Sequence, residues 1–275
     1  MTDRLPDLDA YFARIGHAGP ARADLATLAA LTRRHAEAIP FENLAAFLGE
    51  TVPLDMESLQ RKLCTPGRGG WCFEHNLFFA RVLEALGFEV VRLAARVRWN
   101  VAPGVVTPRS HMLLRVRLPE GDFIADVGFG GLTLTAPLRL MAGIEQVTPH
   151  EPHRLVAEGE RFALQARIAG EWQALYAFDL APQEQADYEV SNWYLANHPQ
   201  SHFVKGLIAA RAAPDRRHAL RGARYSIHHR DGRTERRTLG DVAEIKAVLT
   251  NDIGLTLPDT PEFDRRLATL LEPAP

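Results

Sequence analysis

The spacing of hydrophobic residues changes from a helical to a strand period at about residue 90, and this change constrains the fold more than any other feature. Before that point Leu8, Tyr11 and Ile15 recur on one helix face. The same spacing returns twice, at Leu25, Leu28 and Leu31 and at Phe73, Leu77 and Ala80. A further short helix, between the second and the last of these, is predicted near residues 57–63. The first third of the chain therefore predicts a helix bundle.

Apolar and polar residues then alternate over residues 91–99 and 111–118, the pattern of half-buried strands. The turn sequence at 119–122 predicts a return strand at 123–128, and residues 161–168 and 172–179 predict two more. These strands indicate an antiparallel sheet or barrel.

The end of the chain mixes both periods. Residues 190–195 and 203–210 predict helices separated by His198-Pro199, and Asp231-Gly232 predicts a hairpin turn. A helix carrying Val242, Ile245 and Leu249 follows, and Thr260-Pro261 predicts the start of another. The chain is thus predicted to be α+β, with a helical region at 1–87, a sheet region at 88–189 and a mixed region at 190–275.

Charge and cysteine content exclude several classes of protein. The 32 basic and 34 acidic residues leave a net charge of −2, which argues against a nucleic-acid partner. Two cysteines are too few for a disulfide framework. Residues 1–14 lack the pattern of a signal peptide, and no apolar run reaches the roughly 18 residues of a membrane helix. We therefore expect a cytoplasmic protein that does not enter membranes.

The stretch RGGWCFEHN at 68–76 places Cys72 in the first turn of a helix behind a glycine-rich loop. Free N–H groups and the helix dipole favour a thiolate at that position, and a thiolate is a nucleophile. The alternative is that Cys72 is a small buried hydrophobic residue. Cys64 is interpreted as structural.

A nucleophilic cysteine needs a base and a group that orients the base. His111 opens a strand and is the candidate base, whereas His75, on the helix of Cys72, is interpreted as a hydrogen-bonding core residue. If the turn at 119–122 pairs Leu118 with Phe123, strand parity puts Asp126 on the face of His111. In that register, however, Asp126 lies opposite Arg115, and an Arg115–Asp126 salt bridge is the alternative. Joining His111 to Asp126 then requires a bulge or a shifted register.

Other site motifs are absent. Thr133 stands where a dinucleotide-binding loop starting at Gly128 would have its third glycine, and His198 and His202 are separated by a proline. The sequence predicts no metal site.

Five motifs together resemble the arylamine N-acetyltransferase family over nearly the whole chain. They are RGGWCFEHN at 68–76, PFENL at 40–44, SHMLL at 110–114, DVGFGG at 126–131 and NWYLANHPQSHFV at 192–204. The resemblance implies a helical bundle, an antiparallel β-barrel and an α/β lid, with an active-site core like that of cysteine proteases. It also implies that Cys72 accepts the acetyl group, that His111 is its base and that Asp126 orients His111.

The resemblance further implies a ping-pong reaction in which acetyl-CoA acetylates the cysteine and an arylamine or arylhydrazine then takes the acetyl group. Substrate would contact Phe41, Phe129 and Phe203. The CoA chain would contact Trp99, Ser110, Gly130 and Gly131. Arginines crowd residues 216–237 and are interpreted as a solvated hairpin face, with CoA phosphates or nucleic acid as alternative contacts.

Three other functions stay open at this point. A papain-like thiol hydrolase would resolve the acyl-cysteine with water. An amide synthase that closes macrolactams resembles an acetyltransferase in the same motifs. In a non-catalytic binding domain Cys72 would be inert. The oligomeric state is expected to be monomer or homodimer.

Overall fold

A computed structural model describes residues 5–102 and 104–272. Residues 1–4 and 273–275, the outer ends of the first and third predicted regions, lie outside the described residues. The 1–14 segment that lacks a signal-peptide pattern is therefore described only from residue 5. The first elements of the described residues are five helices and one short strand. These are α1 (Leu8–Ile15), α2 (Leu25–Ala38), β1 (Phe41–Glu42), α3 (Leu44–Phe47), α4 (Met56–Leu63) and α5 (Cys72–Ala85).

Aspartate side chains cap three of these helices. Asp7, Asp24 and Asp55 each accept a hydrogen bond from a backbone N–H three residues later, which satisfies one of the free donors at a helix start. The predicted apolar faces are buried, as the full burial of Leu28 and Leu31 illustrates. The predicted helices of the first third are confirmed, while β1 and α3 were not predicted.

The middle of the chain forms an eight-stranded antiparallel sheet that curls into a nearly closed barrel. Its spatial order is β5-β4-β3-β2-β9-β8-β7-β6. The strands are β2 (Glu89–Val97), β3 (Arg109–Leu118), β4 (Gly121–Ala125), β5 (Leu138–Arg139), β6 (Glu145–Gln146), β7 (His153–Glu158), β8 (Arg161–Ile168) and β9 (Glu171–Phe178). The antiparallel sheet or barrel expected from the alternating period is confirmed, and so is the barrel that the family resemblance implied.

The last part of the chain combines helices with a second sheet. Its elements are α6 (Gln185–Asn197), α7 (His202–Lys205), β10 (Ile208–Ala213), β11 (Arg216–Arg221), β12 (Arg224–His229), β13 (Thr234–Thr238), α8 (Val242–Ala247), a π-helical segment (Val248–Ile253) and α9 (Pro261–Ala268). The sheet has the order β1-β10-β11-β12-β13, so β1 joins it from the first part of the chain. The predicted hairpin around Asp231-Gly232 and the helix start at Thr260-Pro261 are confirmed.

The helix predicted over 203–210 is wrong beyond Lys205. Gly206 ends α7, and Ile208–Ala213 pairs on one side with β11 and on the other with β1. The alanines favour a helix when considered alone. Strand pairing on both sides overrides that preference, which is why local sequence misled the prediction. Helix α6 is also longer than predicted, because it begins at Gln185.

The predicted β3–β4 register is wrong by two residues. Leu118 pairs with Gly121 rather than Phe123, because the turn contains only Pro119 and Glu120. Arg115 therefore lies opposite Ile124 and forms its ion pair with Asp122, so the Arg115–Asp126 salt bridge does not form. The shift moves Asp126, one residue beyond the end of β4, towards the start of β3.

Helix α5 lies between the bundle and the barrel. Its buried side chains Phe73 and Leu77 belong to the same hydrophobic cluster as Met112 and Leu114 of β3. This packing brings the N-terminus of α5 next to the first residues of β3.

Candidate active site

Cys72 is the first residue of α5, as predicted, and only 5% of its surface is exposed. The Glu74 side chain reaches back and accepts a hydrogen bond from the Trp71 N–H at 3.1 Å, and it is paired with Lys62 at 2.7 Å. The first N–H groups of a helix have no acceptor within the helix, so those at the start of α5 are free to bind another acceptor. The Sγ atom lies 3.7 Å from the carbonyl oxygen of Ser110.

His111 and Asp126 are in contact. The Nε2–H of His111 donates to Oδ2 of Asp126 at 2.7 Å, and both side chains are buried. Burial by itself lowers the pKa of His111, but the charges and hydrogen bonds of Asp126 and Cys72 outweigh it and raise the pKa to about 10. The predicted shared face is confirmed, and the two-residue register shift supplies the proximity that the predicted register lacked.

Asp126 receives two further hydrogen bonds. Nδ2 of Asn76 and the backbone N–H of Gly128 donate to its Oδ1 at 2.9 and 3.0 Å. Burial raises the pKa of Asp126, but the charge of His111 and these hydrogen bonds lower it overall. A Cβ atom at Gly128 would lie 2.7 Å from Cα of Cys72, so only glycine lets this segment approach α5 so closely.

Sequence reasoning assigned no role to Asn76 or Tyr176. Asn76 lies four residues after Cys72, on the same face of α5, and that spacing was a usable signal. The Tyr176 ring packs 4.8 Å from the His111 ring, and burial followed by the nearby Asp126 charge raises the pKa of its hydroxyl well above the usual value. Tyr176 comes from β9, far along the chain, so no local pattern indicated it.

The other two candidates from sequence are structural, as predicted. His75 is fully buried and hydrogen-bonds with His35 and with the Pro40 carbonyl. Cys64 accepts a hydrogen bond from Gln60, and burial raises the pKa of its thiol to about 11.

A cavity of about 1190 Å³ opens in front of Cys72. All of the predicted site residues except the buried Asp126 line it: Cys72, His111, Phe41, Phe129, Phe203, Trp99, Ser110, Gly130 and Gly131. Phe203 packs against Trp71 and Phe41, with ring centroids 5.1 and 6.2 Å apart. Phe129 meets the His111 ring edge-on at 5.0 Å. The aromatic wall and the reactive side chains therefore share one space.

The arginine-rich hairpin faces this cavity. Arg221, Arg224, Arg230, Arg236 and Arg237 are exposed, as predicted, and also line its wall. Arg217 departs from the prediction, because it is 1% exposed and forms a two-pronged ion pair with Glu151 from the β6–β7 connection.

The described part of the chain contains no cluster of three or more His, Cys, Asp or Glu side chains arranged to hold a metal ion. It also contains no helix with the length and apolar character needed to span a membrane.

Sequence comparison matches residues 24–262 to a family model described as N-acetyltransferase. The chain is 44% identical to the arylamine N-acetyltransferase of Mycolicibacterium smegmatis over 272 residues, which cover 97% of this chain and 98% of the relative. The chain belongs to the arylamine N-acetyltransferase family. It is therefore a transferase.

Solved structures of arylamine N-acetyltransferases have the same fold. The M. smegmatis enzyme superposes with a TM-score of 0.92 at 43% identity, over 97% of this chain and 99% of that one. The Mycobacterium marinum enzyme, solved in complex with CoA, gives a TM-score of 0.92 at 40% identity, over 96% and 99%. This arylamine N-acetyltransferase thus has the predicted α+β architecture.

Proposed function

We propose that the enzyme acetylates arylamines and arylhydrazines by a ping-pong mechanism through an acetyl-Cys72 intermediate. The observation that carries the proposal is the His111–Asp126 hydrogen bond of 2.7 Å, with His111 and Cys72 both lining the cavity. In this arrangement Cys72 is the nucleophile, His111 moves protons and Asp126 orients the imidazole.

In the first half-reaction the Cys72 thiolate attacks the carbonyl carbon of acetyl-CoA. The bond from that carbon to the CoA sulfur breaks, and protonated His111 gives its proton to the leaving CoA thiolate. In the second half-reaction the amine or hydrazine nitrogen attacks the acetyl carbon of acetyl-Cys72. His111 accepts the nitrogen-bound proton, and the Cys72 thiolate leaves, so the enzyme returns to its starting state.

Both half-reactions pass through a tetrahedral intermediate with a negative oxygen. The first N–H groups of α5, that of Cys72 among them, point to the side on which this oxygen would form. A single such donor contributes about 3 to 4 kcal/mol to catalysis in other enzymes. We therefore assign the stabilisation of the oxyanion to this end of α5.

The cavity wall suits both substrates. Phe41, Phe129 and Phe203 offer ring faces and edges to a flat aromatic acceptor. Trp99, Ser110, Gly130 and Gly131 line the same cavity and are proposed to contact the CoA chain. The hairpin arginines complete the wall with positive charge, which suits the CoA phosphates.

Each region of the chain supplies different residues of the proposed site. We propose a helical bundle at 1–87 that supplies Cys72, a barrel at 88–189 that supplies His111 and Asp126, and a connector with an α/β lid at 190–275. The two cysteines are free thiols, which supports the proposed cytoplasmic location. Monomer and homodimer are both compatible with a site built from one chain.

Intact-mass analysis tests the intermediate directly. The protein is mixed with acetyl-CoA without any amine, next to a Cys72→Ala control. We expect a gain of one acetyl group in the wild type, none in the variant, and loss of the group when an arylamine is added, with acetylated amine appearing in equal amount.

The same experiment separates the alternatives. Loss of the acetyl group to water at an equal rate with and without amine would indicate a thiol hydrolase. No adduct from folded protein would contradict the ping-pong proposal and favour an amide synthase or a binding domain.

A further inference from the structure

Three polar side chains lie inside the hydrophobic core behind the active site, and the mechanism above uses none of them. Tyr11 of α1, His35 of α2 and His75 of α5 are all fully buried. Polar groups buried in this way destabilise a protein unless each finds a hydrogen-bond partner. Here the three side chains form hydrogen bonds with one another in one continuous row.

The last acceptor in this row of hydrogen bonds is a backbone carbonyl, and it fixes which atom donates in each bond. His75 Nε2 lies 3.2 Å from the carbonyl oxygen of Pro40, which can only accept, so Nε2 carries the proton. In a neutral ring His75 Nδ1 then accepts from His35 Nε2–H at 2.8 Å, and His35 Nδ1 accepts from the Tyr11 hydroxyl at 3.1 Å. Burial lowers the pKa of His75 to about 4 and lowers that of His35 well below its usual value, which keeps both rings neutral.

The Pro40 carbonyl also contacts the glycine-rich loop that precedes Cys72. It accepts a second hydrogen bond, from the Gly70 N–H at 3.3 Å, and the Gly70 carbonyl in turn accepts from the Glu42 N–H at 2.8 Å. A Cβ atom on Gly69 would lie 1.9 Å from this same carbonyl oxygen. The loop that leads into Cys72 is therefore packed directly against the group that His75 holds.

We propose that Tyr11, His35 and His75 are positioning residues that hold the Pro40 carbonyl against the Gly69-Gly70 loop and so set the place of Cys72 at the start of α5. None of the three touches a substrate. The inference rests on the proposed role of Cys72 as the acetyl acceptor. A displacement of a reacting group by about 1 Å costs up to a hundredfold in rate, so the effect is measurable.

The test compares the nonpolar aromatic change His75→Phe with His75→Gln, whose amide can still donate towards Pro40. His153→Phe is the matched control, because His153 of β7 is equally buried, has no hydrogen-bond partner among the described residues and does not line the cavity. For each protein we measure the acetylation rate constant of Cys72, the KM for acetyl-CoA, and the rate of Cys72 alkylation by iodoacetamide, read by peptide mass spectrometry to separate Cys72 from Cys64.

We expect His75→Phe to slow acetylation and alkylation of Cys72 about tenfold with a KM change below twofold. His75→Gln should recover most of the loss, and His153→Phe should leave both rates within twofold of the wild type. A folded His75→Phe protein with wild-type rates would overturn the proposal. Equal slowing in His75→Phe and His153→Phe would also overturn it, since the effect would then be a general loss of stability.

Two further outcomes are informative. If His75→Phe does not fold, Tyr11→Phe carries the test, because it removes only the outermost donor. A slower alkylation of Cys72 in Tyr11→Phe supports the proposal, and an unchanged rate overturns it. If wild-type Cys72 is not acetylated at all while its alkylation still depends on His75, the proposed reaction fails and the positioning role stands.

Discussion

Nδ2 of Asn76 lies 2.9 Å from Oδ1 of Asp126 and 2.7 Å from the carbonyl oxygen of Met112. Its Oδ1 accepts a third hydrogen bond, from the Val127 N–H at 3.1 Å. One buried side chain on the nucleophile helix thus fixes both β3 and the segment after β4. The relative position of Cys72, His111 and Asp126 depends on this residue.

We expect Asn76→Ala to slow the acetylation of Cys72 at least tenfold and to lower the melting temperature. The change removes three buried hydrogen bonds, and each buried group left without a partner costs about 1 to 3 kcal/mol. Asn43→Ala is the control, since the buried Asn43 side chain also makes three hydrogen bonds, to the backbone of Phe203, Gly206 and Ile208, and has none to His111 or Asp126. An equal rate loss in both variants would argue against a specific role for Asn76.

The His111–Asp126 pair predicts a loss of stability at alkaline pH. Burial lowers the pKa of His111, but Asp126 and Cys72 raise it to about 10, above the ordinary 6.5. The protonated ring therefore stabilises the fold fully below pH 6.5, and this contribution disappears as the pH rises through about 10. We expect the melting temperature to fall over that interval in the wild type and to fall less in Asp126→Asn. Parallel curves would contradict the assigned pair.

Phe203 is predicted to bind the aromatic acceptor. An aromatic pair contributes about 1 kcal/mol, so Phe203→Ala should raise the KM for an arylamine about fivefold with little effect on acetyl-Cys72 formation. Phe162→Ala is the control, because Phe162 stacks on Phe178 in the barrel and does not line the cavity. An unchanged KM in Phe203→Ala would remove Phe203 from the acceptor site.

The hairpin arginines are predicted to bind the phosphates of acetyl-CoA. We expect the double change Arg224→Gln with Arg236→Gln to raise the KM for acetyl-CoA about tenfold, because each lost hydrogen bond between charged groups contributes roughly 1.5 to 3 kcal/mol before solvent screening. The double change Arg33→Gln with Arg265→Gln, at exposed arginines outside the cavity, removes the same net charge and is the control. If the wild type, the hairpin variant and the control all had the same KM for acetyl-CoA, the hairpin arginines would form only a solvated face.

Local sequence patterns were reliable wherever the structure is decided locally. The helical spacing of Leu25, Leu28 and Leu31 and the turn at Asp231-Gly232 both predicted the observed elements. Short elements held by distant partners were missed, as β1 illustrates, because its two residues are a strand only through pairing with β10. The alanines of β10 were misassigned for the same reason.

The sequence by itself determined the order of helix and strand regions, the place of Cys72 at a helix start and, through its motifs, the family. Only the tertiary structure decided which side chains meet. A two-residue turn set the register that brings Asp126 to His111. The packing of α5 on β3 placed Asn76 against Asp126 and the Met112 carbonyl, and β9 brought in Tyr176, which follows Asp126 by 50 residues. Hydrophobic periodicity records which face of an element is buried, but it does not record which other element covers that face.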